Sequence, residues 1–353
     1  MSVLVAMSGG VDSSVAACLL AELGHEVVGS HMKLVHLDGV DHGCCGPRAE
    51  ADARAVAEIG GFAFEVVDLS REFADTVLAD FVAEHEAGRT PNPCTRCNEW
   101  IKFGAFLARA DRLGVDFVAT GHYVRRGRDG GRWRLLRGLD PSKDQSYMLH
   151  TLGQAELARS LFPVGELAKA QTRAHADRLG LPVAGKPDSQ EVCFVPGADH
   201  AAFLEGIAPH LARAGEVVDP AGRVLAEHRG TFRFTVGQRR GIGVSTGRRT
   251  YVVDVDHGTN RVVVGPGELL ARSGLVADRM SWVAGDAPAD GPFEADVRIR
   301  YRGADVPAVV EPRGGQAVVE FRTPQRAVAP GQSVVIYRGE ELLGGGRIVR
   351  ALR

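Results

Sequence analysis

The sequence predicts an α/β protein: an N-terminal doubly wound parallel-sheet domain, a small central domain and a C-terminal antiparallel β-barrel. Three observations carry that expectation. Apolar runs of strand length alternate with helix-like runs between Val3 and Gly121, the pattern of successive strand–helix–strand units. The first unit turns through a glycine pair, Gly9-Gly10, straight into an Ala/Leu-rich stretch. Beyond about Pro196 the helical period fades, and short Val-rich runs recur between turn signals at spacings of roughly ten residues.

In order, residues 3–6 (VLVA) read as the first strand and residues 15–23 continue its helix. Residues 26–32 (EVVGSHM) form a second strand, 34–46 a Gly/His-rich loop and 49–59 a helix ending at Gly60-Gly61. Residues 64–69 form a third strand. A helix over 71–86 puts Phe73, Val77, Leu78 and Phe81 on one side. Two prolines make residues 88–98 a rigid loop, followed by a helix over 100–113 and a buried strand over 116–121. Ligands of parallel sheets sit at the carboxyl ends of the strands. Ser8, the 34–46 loop, the Cys94 loop and Gly121-His122 are therefore expected to line one crevice.

Residues 123–137 (YVRRGRDGGRWRLLR) predict a hairpin. A helical stretch begins at Lys143, another helix falls within 161–181, and 188–194 is a polar turn entering a short strand. Strands are then expected at 251–256, 261–265, 294–300, 306–311, 317–321 and 334–338. Residues 265–273 read as a linker, and the Gly344-Gly345-Gly346 run as a tight bend. The expected domains are residues 1–198, 199–270 and 271–353.

At 353 residues, 44% hydrophobic and 24% charged, with a formal net charge of −2, the chain reads as an ordinary globular protein of two or three domains. No apolar run of about 18 residues and no signal peptide is visible, so no membrane partner is expected and the cytoplasm is the default. Six cysteines in a chain of this length point to catalysis or metal rather than to a secreted disulfide framework.

The chemistry begins at Met7-Ser8-Gly9-Gly10-Val11-Asp12-Ser13-Ser14. The glycines let backbone N–H groups approach a ligand, Ser and Asp are natural helix caps, and a helix N-terminus suits a phosphate. The lysine of a Walker loop is missing. The stretch resembles instead the pyrophosphatase loop of enzymes that cleave ATP to AMP and pyrophosphate, adenylating a carbonyl oxygen for displacement. Cys94 and Cys97 form a C-x-x-C, and Cys193 stands apart. Three thiols fit either a nucleophile with a persulfide carrier or an iron–sulfur cluster with one open iron position.

Taken together, Ala6 to Ser13, Gly88-Arg89-Thr90-Pro91-Asn92-Pro93, Cys97-Asn98 with Ile101-Lys102-Phe103, and Thr120-Gly121-His122-Tyr123 resemble the bacterial tRNA-specific 2-thiouridylases. Lys143-Asp144-Gln145-Ser146-Tyr147, Phe162 to Leu167, Cys193-Phe194, Thr235 to Arg239 and Pro330-Gly331-Gln332-Ser333 extend the likeness along nearly the full length. That family places sulfur at C2 of the wobble uridine. The resemblance implies that Ala6, Met7, Ser8, Gly9, Gly10, Val11, Asp12 and Ser13 hold ATP, with Met32 and Gly121 near the adenosine. It makes Cys97 the nucleophile and Cys193 the persulfide carrier. Asn92, Pro93 and Cys94 would face the target base, and His122, Lys143, Asp144, Gln145, Arg300, Tyr301 and Gln332 would touch tRNA. ATP and Mg²⁺ are implied, with tRNA and a sulfur donor as partners, either a cysteine desulfurase or relay protein or inorganic sulfide. The family also implies a disulfide bond in its cycle. Many members carry aspartate where this chain has Cys94. Either the general acid/base then lies elsewhere, or Cys94, Cys97 and Cys193 hold a cluster.

The C2 carbonyl of a pyrimidine is a poor electrophile; adenylation converts its oxygen to a leaving group that a soft sulfur nucleophile can displace. Mg²⁺ would neutralise the phosphates, and the base must leave its stack. Basic surface for tRNA is expected at residues 229–249, with six arginines and no acid, and at the 123–137 hairpin, with six arginines and one aspartate. Cys18 reads as core, and Cys44-Cys45 with His36 and His42 as loop residues beside the crevice. The competing readings are an amidating ligase of the same loop family and a tRNA-binding protein without catalysis. Neither accounts for the nucleotide loop and the cysteines together.

Overall fold

A computed structural model describes residues 1–35, 46–188, 192–195, 197, 199–245 and 247–353. The expected loop around Cys44-Cys45, with His36 and His42, lies outside the described residues.

In the N-terminal part, β1 (Ser2–Ala6), β2 (Glu26–Lys33), β3 (Ala63–Asp68), β4 (Phe117–Ala119) and the short β7 (Ser160–Leu161) form one sheet, ordered β3-β2-β1-β4-β7. Its pairings are parallel. The continuous apolar run of β1 has a direct cause. Val3 and Val5 enter one core cluster with Val15, Ala16 and Ala53, while Leu4 and Ala6 enter another with Phe103, Phe106 and Val118. A strand covered on both faces needs no polar alternation. The strand order reverses beside β1, which puts a switch point between the carboxyl ends of β1 and β4.

Helix α1 (Val11–Glu22) follows β1, α2 (Pro47–Gly60) precedes β3, and Gly61 ends α2 in the left-handed conformation. After β3, α3 (Ser70–Phe73), a wide-turned segment (Ala74–Leu78) and α4 (Ala79–Glu86) make one helical run. The expected rigid loop over 88–98 is shorter than its prolines suggested. Helix α5 (Pro93–Arg96) starts at Pro93, capped by Asn92, and runs through a wide-turned segment (Cys97–Ala105) into α6 (Phe106–Leu113). Proline's fixed φ suits the first helical turn, where its missing N–H costs nothing. Cys94 and Cys97 therefore lie on a helix, and Cys97 opens the wide turns that often mark functional positions. The strand expected at Cys193 is a turn instead.

The hairpin forms as β5 (Val124–Asp129) and β6 (Arg132–Arg137). After it, the helical stretch expected from Lys143 shrinks to a single tight turn, Ser146–Leu149; a short α7 (Gln154–Ala158) follows, and α8 (Lys169–Arg178) fills the second expectation.

A central sheet, β10-β11-β8-β9, joins β8 (Gly215–Val218), β9 (Val224–His228), β10 (Tyr251–Asp256) and β11 (Arg261–Gly265) around Val217, Phe234, Ile242 and Val252. In the C-terminal part, β12 (Ala271–Trp282), β13 (Phe293–Arg298), β14 (Val306–Arg313), β15 (Gln316–Arg326), β16 (Ser333–Arg338) and β17 (Glu341–Leu352) pair in the circuit β12-β15-β14-β13-β16-β17. The β12–β17 pairing closes it into an antiparallel barrel. Two of its walls were hidden in the sequence. The expected linker already contains the start of β12, and the triple glycine, expected as a bend, runs inside β17 against Ser281 and Trp282. The hairpin also leaves its own domain: β6 pairs with β17 through Leu136 with Glu341 and Leu135 with Leu342, extending the barrel's sheet. Among the described residues no helix is long and apolar enough to cross a membrane.

Candidate functional site

The loop between β1 and α1 lies at the switch point. Gly9 has φ +67°, and a side chain there would come within 2.3 Å of the Ala49 carbonyl oxygen in α2, so only glycine lets the loop pass that helix. Gly10, with no side-chain cap, occupies the helix start where a Ser or Asp cap was expected. The serines instead bond each other: Ser13 Oγ accepts the Ser8 N–H at 3.2 Å, and the two hydroxyls are 3.2 Å apart. Helix α1 thus begins with no side-chain cap on its first N–H groups. From β4, Gly121 closes on the same point, because an added Cβ would fall 2.5 Å from Ser13 N. Ser13 is buried and Ser8 exposed, while Met32, half-buried, borders two core clusters.

Around this loop the fold gathers charges that the sequence did not announce. Lys169, the first residue of α8, donates to both carboxylate oxygens of Asp12 at 2.7 and 2.9 Å and lies 2.6 Å from Asp188. Lys143 and Arg173 also hold Asp188, at 2.8 and 3.1 Å. Lys186 donates to the Gly9 carbonyl and to Asp52, each at 2.8 Å. The Tyr123 hydroxyl donates to Asp12 at 2.8 Å, and burial pushes its phenol up. Burial alone would raise the Asp188 carboxyl, but hydrogen bonds from Lys143 and Lys169 hold it below the ordinary range. Lys169 and Arg173 stand on the first turns of a helix, where the dipole disfavours cations. That inverted charge order was the available signal for an anion at this end of α8.

The thiols converge from another side. Cys97, 8% exposed, belongs to an apolar cluster with Leu34, Phe73, Ile101 and Phe194, and Cys193 packs against the same cluster. Phe194 is the anchor, its ring lying 5.2 Å from Phe73, 5.8 Å from Phe81 and 5.5 Å from Phe203. Cys94 is half-buried one turn before Cys97, its N–H donating to Asn92 Oδ1 at 3.2 Å. Pro93 is buried. Among the described residues no disulfide forms and no group of three or more His, Cys, Asp or Glu side chains could hold a metal ion. Cys18 is core, its thiol pushed up to about 11 by burial.

The residues expected to touch tRNA divide. Tyr301, half-buried on the barrel, lies close enough to Lys143 and Cys94 for their charges to act on its phenol, which burial raises. Arg300 is exposed and donates to the Arg326 carbonyl at 2.9 Å. His122 is 8% exposed, bonded to Thr120 at 2.7 Å, and burial followed by the Lys102 charge holds its imidazole well below the ordinary value. Asp144 is buried, accepting from Gly138 and Ser146 and paired with Arg298 at 3.4 Å. Gln145 accepts the Tyr123 N–H, and Gln332 donates to the Thr90 carbonyl at 2.8 Å. His122 and Asp144 are thus buried, while Gln145 and Gln332 are half-buried.

Comparison with known proteins follows the same partition. Residues 1–197 match a family model described as the tRNA methyl transferase HUP domain, residues 201–266 the tRNA methyl transferase PRC-barrel domain, and residues 272–348 the aminomethyltransferase beta-barrel domain. The chain is 49% identical to the tRNA-specific 2-thiouridylase MnmA of Geobacter metallireducens, across 99% of this chain and 97% of that protein. It is 48% identical to the protein of that name in Acidothermus cellulolyticus, with 100% and 99% covered. For Geotalea uraniireducens the identity is 46%, with 99% and 95% covered.

Proposed function

The chain belongs to the tRNA-specific 2-thiouridylase family, and on that premise we propose that it converts a tRNA uridine, at the wobble position, to 2-thiouridine at the expense of ATP. The Ser8–Ser13 loop binds the phosphates with the N-terminus of α1. Lys169 and Lys186, already at the Asp12 carboxylate and the Gly9 carbonyl, are placed to meet the pyrophosphate. Adenylation of the C2 oxygen releases pyrophosphate. The outer sulfur of a Cys193 persulfide then attacks C2 and AMP departs. Cys97 next attacks Cys193 Sγ, the sulfur on the base leaves as the thiocarbonyl of 2-thiouridine, and a Cys97–Cys193 disulfide remains for an external thiol to reduce. Mg²⁺ bound to the ATP phosphates would neutralise part of their charge. Sulfur comes from a persulfide-carrying protein, whose own cysteine leaves as thiolate when its outer sulfur passes to Cys193, or from inorganic sulfide, which opens the Cys97–Cys193 disulfide to a Cys193 persulfide and a Cys97 thiolate. Residues 1–198 serve as the catalytic domain, 199–270 as a tRNA-binding module and 271–353 as the barrel.

One observation carries this reading. Cys97 and Cys193, 96 positions apart, meet in one apolar cluster, and Asp188, five residues before Cys193, is tied through Lys169 to Asp12 of the nucleotide loop. A methyl transfer, which the matched family's description names, has no use for that pair of thiols beside an adenylating loop; an amidating ligase needs the loop but not the thiols. The test supplies the protein with unmodified tRNA, ATP, Mg²⁺ and sulfide, measuring pyrophosphate and 2-thiouridine. Ser8→Ala and Lys169→Met should abolish pyrophosphate release. Cys97→Ser and Cys193→Ser should eliminate thiolation while tRNA binding persists. Pyrophosphate release driven by ammonia instead of tRNA would overturn the reading.

A further inference from the structure

Three motifs far apart in sequence meet at one threonine. Thr90 lies two residues before Asn92, the cap of the helix bearing Cys94 and Cys97. Its N–H donates to the Pro330 carbonyl at 2.8 Å, and its carbonyl accepts from Gln332 Nε2 at 2.8 Å. Gly331 between them is pressed so close that an added Cβ would lie 2.7 Å from Thr90 N. The barrel thus grips the Thr90 backbone from both sides. The remaining group, the hydroxyl, reaches the third domain: Thr90 Oγ1 lies 3.1 Å from Thr235 Oγ1.

Thr235 is not an isolated partner. Its N–H donates to Gln238 Oε1 at 2.9 Å, and Gln238 Nε2 donates to the Arg240 carbonyl at 2.9 Å. Those two bonds fix the turn that presents Arg239 and Arg240, both exposed. A short relay of hydrogen bonds therefore runs from an exposed arginine turn, through two threonine hydroxyls, to the start of the thiol-bearing helix. Side-chain amides and hydroxyls of this kind carry position, not charge.

We propose that the Thr90–Thr235 pair is a positioning contact: it sets the Asn92 cap, and with it Cys94 and Cys97, in register with tRNA held on the Arg239–Arg240 turn. The proposal rests on the thiouridylase reading above. The pair touches neither ATP nor the reacting sulfur. Its loss should slow the bound complex without weakening the encounter.

The full-length protein tests this with Thr90→Val, Thr235→Val, the double variant and Thr235→Ser, each with a melting curve. Each valine should lower kcat for thiolation about five-fold, the scale of one hydrogen bond, with KM for tRNA within about two-fold. The double variant should be no slower than either single, because both remove the same contact; Thr235→Ser should restore the rate. Independent losses that multiply, or a change in KM alone, would overturn the proposal. A second readout is free of turnover: alkylation of Cys94 by iodoacetamide, followed by peptide mass spectrometry, with and without tRNA. Addition of tRNA should change that rate in the parent and in Thr235→Ser but not in Thr235→Val. A parent rate indifferent to tRNA, or an equal response in Thr235→Val, overturns the coupling. If the parent alkylates in a tRNA-dependent way yet forms no 2-thiouridine, the thiouridylase reading falls and the relay stands.

Discussion

The two arginine-rich stretches have nearly the same composition and opposite fates. On the β5–β6 hairpin four of the six arginines turn inward, and only Arg128 and Arg132 at the tip are exposed. Arg125 pairs with Glu340 at 3.1 Å, Arg134 with Glu341 at 2.7 Å, and Arg137 with Asp305 at 2.9 Å, while the Arg137 guanidinium lies 3.7 Å from the Tyr337 ring centroid. Arg126 donates to the Leu157 carbonyl and stacks on Trp133 at 4.5 Å. In the 229–249 stretch, Arg229, Arg239, Arg240, Arg248 and Arg249 are exposed, and only Arg233 is drawn in, by Glu205. The difference lies in the partners. The hairpin meets barrel acids more than 160 residues downstream, which no local reading of charge can see. Five of the six arginines in the loop keep their side chains exposed to water. Arginine count alone is therefore a poor guide to nucleic-acid surface.

That contrast can be broken by mutation. The largest effect is expected from Arg137→Ala, which removes a partner of buried Asp144 as well as the Tyr337 stack. We expect a loss of roughly 2–4 kcal/mol in stability, read by denaturant melts, with the salt slope of tRNA binding unchanged. A preserved melt with weakened tRNA binding would make the hairpin a second nucleic-acid surface after all.

Next comes the seam between α4 and the barrel, where Glu84 is held by Arg89, Arg279 and Arg347. Burial would raise the Glu84 carboxyl, but these cations outweigh it and hold the group below the ordinary range. A depressed folded pKa contributes stability above the unfolded value, about 4.3, and loses it as pH falls through the folded one. Glu84→Gln should cost about 1–3 kcal/mol at neutral pH and flatten the decline in melting temperature on acidification. An equally steep acid decline in the variant would remove Glu84 from the account.

A smaller change in fold, but a direct one in binding, is expected from Arg239→Ala with Arg240→Ala. The salt slope of tRNA affinity should fall by about 1–2 units, and stability should stay within about 0.5 kcal/mol. Smallest of all is Arg128→Ala at the exposed hairpin tip, where a stack on Trp133 at 5.3 Å and a 3.4 Å hydrogen bond to the Gly131 carbonyl are lost. Neither melting nor tRNA binding should shift measurably. A drop in affinity there would blur the contrast.

Much of the catalytic half was legible because its signals are local. Val3 to Ala6 is apolar on both faces, Gly9 allows a turn past α2 that no side chain would, and strands alternate with helices at regular spacing. Where local signals conflicted, reading failed. Pro93 spoke for a loop but starts a helix, and the expected linker over 265–273 already holds the start of β12.

The sequence by itself determined the parallel-sheet class, the glycine loop between β1 and α1 and the identity of the three thiols, because each depends on residues within one or two turns of chain. Only the tertiary structure decided which distant groups meet. It brought Lys169, Lys186 and Asp188 to the nucleotide loop, Cys193 to Cys97, the hairpin to the barrel and Thr235 to Thr90. Those meetings depend on how the faces of separate elements pack, and a charge or a hydroxyl carries no mark, in one dimension, of the partner that will satisfy it in three.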